Sequence, residues 1–165
     1  MDLYSNQSSA RLILIICMVF GFLLLSSCGG PTETPEAQVN HFIETGKNAA
    51  EARDAFALGD LVAENYQDRH GRSRKDVLRL LAAYLLRHKN IHLLTRTSSL
   101  TFPTTHQARL SLYVAMADLP LDNIEALAGM RADLYLFELE LVKQNDTWLL
   151  VSGSWRRAQL DDFLT

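Results

Sequence analysis

From Val39 to about residue 90 the apolar side chains of this chain recur every three or four positions; from Ile91 onward they recur every second one. A helix returns side chains to one face about every 3.6 residues, whereas a strand alternates them between two faces. This change of period divides the chain into helices followed by strands. That order predicts an α+β fold, with N-terminal helices packed on a strongly curved antiparallel sheet.

Thr34-Pro35-Glu36 reads as a helix start, with Thr34 as N-cap, Pro35 at the first helical position and Glu36 near the positive end of the dipole. Val39, Phe42, Ile43 and Gly46, then Ala49, Ala50 and Ala52, trace one face, and the small residues predict close packing against something flat. Gly59 interrupts the pattern. Leu61, Val62 and Tyr66 predict a second, short helical piece that ends at 68–71. Ser73 and Asp76 have the spacing of a capping box, with Asp in place of Glu, and Val77, Leu80, Leu81, Tyr84 and Leu85 follow at helical spacing. This third helix stops near Asn90, where Arg87, His88 and Lys89 offset the negative end of the dipole.

Residues 91–100, 107–117, 131–143 and 147–157 predict strands. Residues 101–105 predict a turn between the first pair, Gln144-Asn145-Asp146 a tight turn between the last pair, and 123–127 one helical turn in the remaining connection. The third strand is apolar on both faces, with Leu134 and Leu136 on one side and Tyr135, Phe137, Leu139 and Leu141 on the other. At about 3.3 Å per residue it would stretch roughly 43 Å, well beyond the usual five or six residues. Such a strand must curve or carry a bulge, and curvature makes a hollow that the helices close. The outer face, still apolar, needs a cover, and a homodimer through the sheet would supply one. Trp148 and Trp155 are separated by an odd number of residues, which places them on opposite faces, one in the core and one at the pocket mouth or dimer face.

Ahead of the domain, Arg11 precedes an unbroken apolar run over residues 12–25, followed by Ser26, Ser27, Cys28 and Gly29. A spanning helix needs about 20 apolar residues, so the run is short for a permanent anchor and has the order of a cleaved signal peptide. Leu25-Ser26-Ser27-Cys28-Gly29 resembles the lipobox of bacterial lipoproteins. That resemblance implies cleavage between Ser27 and Cys28, with a diacylglyceryl thioether and an N-acyl chain on Cys28, enough to hold the protein on its membrane. In that family Asp after the cysteine signals inner-membrane retention. Gly29 stands here instead, which points to the outer membrane, with the domain facing the periplasm. The expected division is therefore 1–27 signal peptide, 28–34 acylated cysteine and tether, and 35–165 one folded domain.

The signal segment carries Asp2 and Arg11, so its removal leaves the net charge of −3 unchanged. Without a basic cluster the chain lacks the positive footprint that phosphate binding needs, and nucleic acid is excluded as a partner. Of the two cysteines, Cys17 leaves with the signal peptide and Cys28 is consumed by lipid. No disulfide is expected, and packing alone must hold the domain.

The succession of two helices, Tyr66-Gln67-Asp68 with Gly71, a third helix and four strands closing on Trp148-Leu149-Leu150-Val151 and Trp155-Arg156-Arg157 resembles the nuclear transport factor 2-like superfamily. The resemblance covers about residues 36–160 and is nearest to lipoproteins of Gram-negative bacteria. It implies a cone, in which a bent sheet wraps a long helix and leaves an open pocket. Members include ketosteroid isomerase, scytalone dehydratase, polyketide cyclases and noncatalytic scaffolds, so the fold does not give the function.

An isomerase of this fold needs a pocket carboxylate as base, opposed by a tyrosine and a neutral acid. Tyr66, Asp68, Tyr84, Asp133 and Tyr135 offer those residue types, but no motif fixes a role, and no residue is assigned to catalysis. In the plainer reading Tyr66 and Tyr84 close the helix layer and Asp68 caps the turn that follows it. Tyr66, Asp68, Tyr84, Tyr135 and Trp155 are the candidate pocket residues. His88 and His92 are four apart, but the helix ends between them and no glutamate intervenes, so no metal is expected. Asp68 with His70 beside Gly71 reads as a turn, and His41 and His106 read as solvent-facing. Arg156 and Arg157 stand at a strand end, on the pocket rim or in solvent. The mature chain has no Gly-rich phosphate loop, nucleophile elbow or cysteine nucleophile, and no cofactor is expected. The expected function is a noncatalytic lipoprotein that binds a small apolar ligand or an envelope protein. The alternative is an isomerase or dehydratase acting on a hydrophobic carbonyl compound.

Overall fold

Proline has no amide hydrogen to lose at a helix start, and helix α1, Pro35–Glu51, begins on one. The computed structural model describes residues 33–121, Leu127 and 132–164. The signal segment, Ser27, Cys28, the tether to 32 and all but Leu127 of the helical turn expected at 123–127 lie outside them. Helix α1 buries Val39, Ile43 and Ala49 and ends before Arg53, which takes a left-handed φ of 58°. The Arg53 guanidinium then donates two hydrogen bonds to the Leu85 carbonyl, at 3.1 and 2.8 Å.

Helix α2, Ala55–Asp60, is capped by the Asp54 carboxylate, which accepts from the Phe56 and Ala57 amides. Gly59 sits buried inside it, and a Cβ there would stand 3.7 Å from Leu78. Helix α3, Arg74–Arg87, starts with the expected capping box between Ser73 and Asp76. The helical piece expected through Leu61, Val62 and Tyr66 is not formed. The spacing of those apolar residues suits a helix, but the backbone instead pairs with an exposed strand edge: the Ala63 amide donates to the Leu150 carbonyl, the Leu150 amide to Leu61, and the Gln67 amide to Val151. An open sheet edge outcompetes a short helix because it satisfies backbone groups on both partners.

The sheet comprises β1 (His92–Thr104), β2 (Gln107–Ala117), β3 (Ala132–Gln144) and β4 (Thr147–Arg157), antiparallel in the order β1-β2-β3-β4. Residues 101–104, expected as a turn, continue β1. Pro103 is tolerated there because β1 is an edge strand and its register shifts between Thr101 and Thr104. Asn145 and Asp146, at φ 48° and 62°, make the β3–β4 turn, with both central residues left-handed as a tight hairpin requires.

Strand β3 runs 13 residues, and its inward row is Tyr135, Phe137, Leu139 and Leu141. Helices α1 and α3 pack on that concave side, where Val39, Ile43 and Leu85 join Leu93, Leu112 and Leu141 in the main core. The two tryptophans correct the expectation drawn from their odd separation. Trp155 pairs with Phe137 and Trp148 with Lys143, both odd-numbered positions of β3, so both face the concave side. The register of β4 slips by one residue opposite Glu140 and Leu141, and a one-residue bulge reverses the alternation.

One end of the outer face is covered by the chain itself. A short helix α4, Leu160–Leu164, brings Phe163 against Tyr113 at 5.5 Å and buries it fully beside Ala115 and Leu127. Arg96 fastens α4 by donating to the Asp162 carbonyl at 2.7 Å while lying over the Tyr113 ring. Farther along, the outer face becomes polar, with Arg69 and Ser154 bonded to Glu138 and Arg109 near Glu140. The apolar outer face expected from Leu134 and Leu136 is therefore interrupted, with Leu134 packed under α4 and the polar Glu138 and Glu140 following it along β3.

Candidate functional site

Helix spacing and strand alternation send aromatic residues to one place. Tyr84 lies on the face of α3 that carries Val77 and Leu81, Tyr135 lies on the inward row of β3, and Trp155 follows the bulge in β4. Together with Tyr66 they line an apolar cavity of about 260 Å³ between α3 and the β3–β4 end of the sheet. A second apolar cavity of about 220 Å³ adjoins it under α1, sharing Met116, Phe137, Leu139 and Leu150 as walls. At the other end Tyr84 and Met116 also border a polar cavity of about 350 Å³, whose walls include His88, Asp118 and Asp133. Tyr84 is thus the partition between an apolar chamber and a polar one. Trp155, 40% exposed, and Leu80, 45% exposed, stand at the opening of the apolar chamber.

Burial pushes the Tyr84 phenol above its ordinary value, and the charges of Asp133 and Asp118 push it the same way. Its hydroxyl donates to the Met116 sulfur at 3.2 Å, a weak acceptor, and its ring stacks on His88 at 4.3 Å. Tyr66 is also raised, first by burial and then by Asp68, against the opposing effects of Arg72 and a hydrogen bond from the Gly153 backbone. Neither phenol ionises at neutral pH, so both act as hydrogen-bonding groups set in apolar walls. Gly153 keeps the wall thin: a Cβ there would meet Leu139 at 3.3 Å and the Tyr66 hydroxyl at 3.6 Å. Gly153→Ala is expected to cost about 1 kcal/mol by overpacking and to weaken binding in the cavity by pushing the Leu139 side chain into it. Urea unfolding and a dye-binding titration on one preparation would measure the two effects together.

The surrounding architecture matches solved structures. The structure of Bd1075 from Bdellovibrio bacteriovorus aligns with a TM-score of 0.56 at 13% identity, over 73% of this chain and 40% of that one, so this chain spans less than half of that protein. A candidate scytalone dehydratase from Novosphingobium aromaticivorans aligns with a TM-score of 0.60 at 11% identity, over 74% of this chain and 83% of that one. A protein of unknown function from Silicibacter pomeroyi, described as nuclear transport factor 2-like, aligns at 0.53 with 16% identity, over 74% and 94% of the two chains. The chain has the nuclear transport factor 2-like, cystatin-like fold. No family model matches the sequence, and none of the curated proteins does.

In this nuclear transport factor 2-like cone, the fifth candidate residue stands apart. Asp68 does not line the cavity. It is 6% exposed and accepts hydrogen bonds from the His70 and Arg72 amides at 2.8 and 2.9 Å and from the Arg72 Nε at 2.5 Å. Burial pushes its carboxyl up, but these bonds outweigh burial and hold it below the ordinary value. Asp68 therefore closes the turn around Gly71, whose φ is 73°, and anchors Arg72. The Arg72 guanidinium in turn lies 4.5 Å above the Trp155 ring.

Asp133, the remaining acid among the enzyme-type residues, stands in the polar chamber with half its side chain exposed, 3.6 Å from Arg157. His88 caps the end of α3 and His92 opens β1, so the pair four apart falls on separate elements. His41 and His106 are exposed. Arg72, Met116 and Gly153 were not among the sequence candidates. Two signals were present, an arginine four residues after Asp68 and a glycine inside a strand, where glycine marks a close approach. Among the described residues no helix is long and apolar enough to cross a membrane.

Proposed function

We propose that this protein is a membrane-anchored lipoprotein whose domain binds a small apolar ligand in the chamber lined by Tyr66, Tyr84, Tyr135 and Trp155, without catalysing a reaction on it. The observation that carries this reading is the pairing of an apolar aromatic chamber with carboxylates engaged elsewhere. Asp68 is fully occupied by its turn and Arg72, and Asp133 is half exposed beside Arg157. A base that abstracts protons within an apolar chamber would sit buried and unpaired instead. In this reading Cys28 carries the lipid and the domain faces the periplasm, in the outer membrane on the strength of Gly29. An envelope protein or a second copy of the chain would associate on the surface.

The second reading is an isomerase or dehydratase acting on a hydrophobic carbonyl compound. It is favoured by Tyr84, whose hydroxyl has only a thioether partner among the described residues and lies near Asp133, and by the likeness to the candidate scytalone dehydratase.

Native mass spectrometry of the purified protein separates these possibilities. The expected result is a bound small molecule that leaves intact on activation and is absent from Trp155→Ala. A ligand returned chemically altered would favour the enzyme, and an empty chamber at every concentration would contradict both. Radiolabelled palmitate is expected to enter the parent protein and not Cys28→Ser; equal labelling of the two would remove the anchor.

A further inference from the structure

Arg72 lies outside the wall of the apolar chamber, against two of the residues that line it, Trp155 and Tyr66. Its guanidinium lies 4.5 Å from the Trp155 ring centre, and its charge acts on the Tyr66 hydroxyl. It is fixed from behind, because its Nε donates to Asp68, whose side chain has no solvent exposure and is itself held by two backbone amides. The Arg72 side chain keeps 29% exposure, and among the described residues its two terminal nitrogens make no hydrogen bond. A guanidinium recognises a carboxylate best through two parallel N–H bonds. Here Asp68 takes the Nε position and leaves the edge between the terminal nitrogens open. The opposite end of the site, beyond Tyr84, has the reverse chemistry, with Asp118 and Asp133 in its walls.

Resting on the binding reading above, we infer that the ligand is an amphipathic anion, with its apolar body among Leu81, Tyr135 and Phe137 and a carboxylate on the open edge of Arg72. Asp118 and Asp133 at the far end, the latter partly offset by Arg157, disfavour the reverse orientation of such a molecule. The Asp68 bond and the contact with the Trp155 ring hold the guanidinium in place, so little side-chain freedom is lost when the anion arrives.

Calorimetric titration with dodecanoate, dodecanol and dodecylamine tests this on the purified protein and on Arg72→Lys and Arg72→Met. Dodecanoate is expected to bind the parent tightest of the three. It should lose roughly tenfold in affinity in Arg72→Met and less in Arg72→Lys, which keeps the charge without the planar pair of donors. Dodecanol should bind all three proteins alike. Arg72→Met leaves Asp68 without its partner, so the same substitution combined with Asp68→Asn supplies a neutral background, and unfolding curves confirm that each protein is folded. Unchanged dodecanoate affinity across the variants, or tighter binding of dodecylamine than dodecanoate, would overturn the anion and leave the chamber as a binding site. Failure of all three to bind the parent would overturn the binding reading itself, and this inference with it.

Discussion

Phe163→Ala is expected to lower the stability of the domain by about 3–5 kcal/mol, the usual cost of truncating a buried phenylalanine. The side chain is fully buried, tilts against Tyr113, and with Ala115 and Leu127 forms the cluster on which Leu94 and Leu134 pack. Its loss should also uncover the apolar end of the outer sheet face, so the variant should self-associate. Urea unfolding and light scattering read the two effects separately. Phe56, 89% exposed, provides the control, and Phe56→Ala should change stability by less than about 0.5 kcal/mol. A Phe163→Ala protein as stable and as monodisperse as the parent would mean that α4 is not the cover, and would return that role to a second copy of the chain.

Asp68→Asn is the second large effect. The substitution keeps the shape of the side chain but removes the charge that Arg72 and two amides address. Arg72 then loses its anchor, and Trp155 loses the cation held over its ring. The expected outcome is a melting temperature several degrees lower, together with faster acrylamide quenching of Trp155. The parent should show a matching dependence on pH. Because the folded carboxyl is held below its ordinary value of 3.8, its contribution is complete above that pH and is lost as the pH falls beneath it. The melting temperature of the parent should therefore fall more steeply than that of Asp68→Asn on acidification below about pH 4. Parallel curves for the two proteins would show that Asp68 is not the group being titrated.

The order of elements was legible because it depends on period alone: Val77, Leu81 and Leu85 could only share a helix face, and β2 and β4 begin and end where their alternation does. What escaped the sequence turns on single residues. One extra residue in β4 carries Trp155 to the same side as Trp148, and no pattern of apolar spacing announces a bulge. Leu61, Val62 and Tyr66 fit a helix in isolation, and only the unpaired edge of β4, distant in sequence, draws them away from it. Phe163 lies in a tail with too few apolar residues to show a period, yet it covers the end of the sheet that Leu134 occupies.

Of the five candidate pocket residues, the four aromatic ones converge because a helix face and a strand face meet there. Asp68 falls outside because a carboxylate next to a glycine turn finds its partners locally. Arg72 could be placed only once Trp155 was, since its proximity to the chamber arises from the far strand.

The most direct measurement of the central claim uses Trp148→Phe, which leaves Trp155 as the remaining tryptophan. Its fluorescence is followed while dodecanoate is added to the purified protein. A ligand that fills the chamber beneath Trp155 predicts a saturable blue shift and reduced acrylamide quenching, both abolished when Gly153→Leu fills the wall between Tyr66 and Leu139. An emission spectrum that stays fixed, or one that shifts equally with and without Gly153→Leu, would contradict the account.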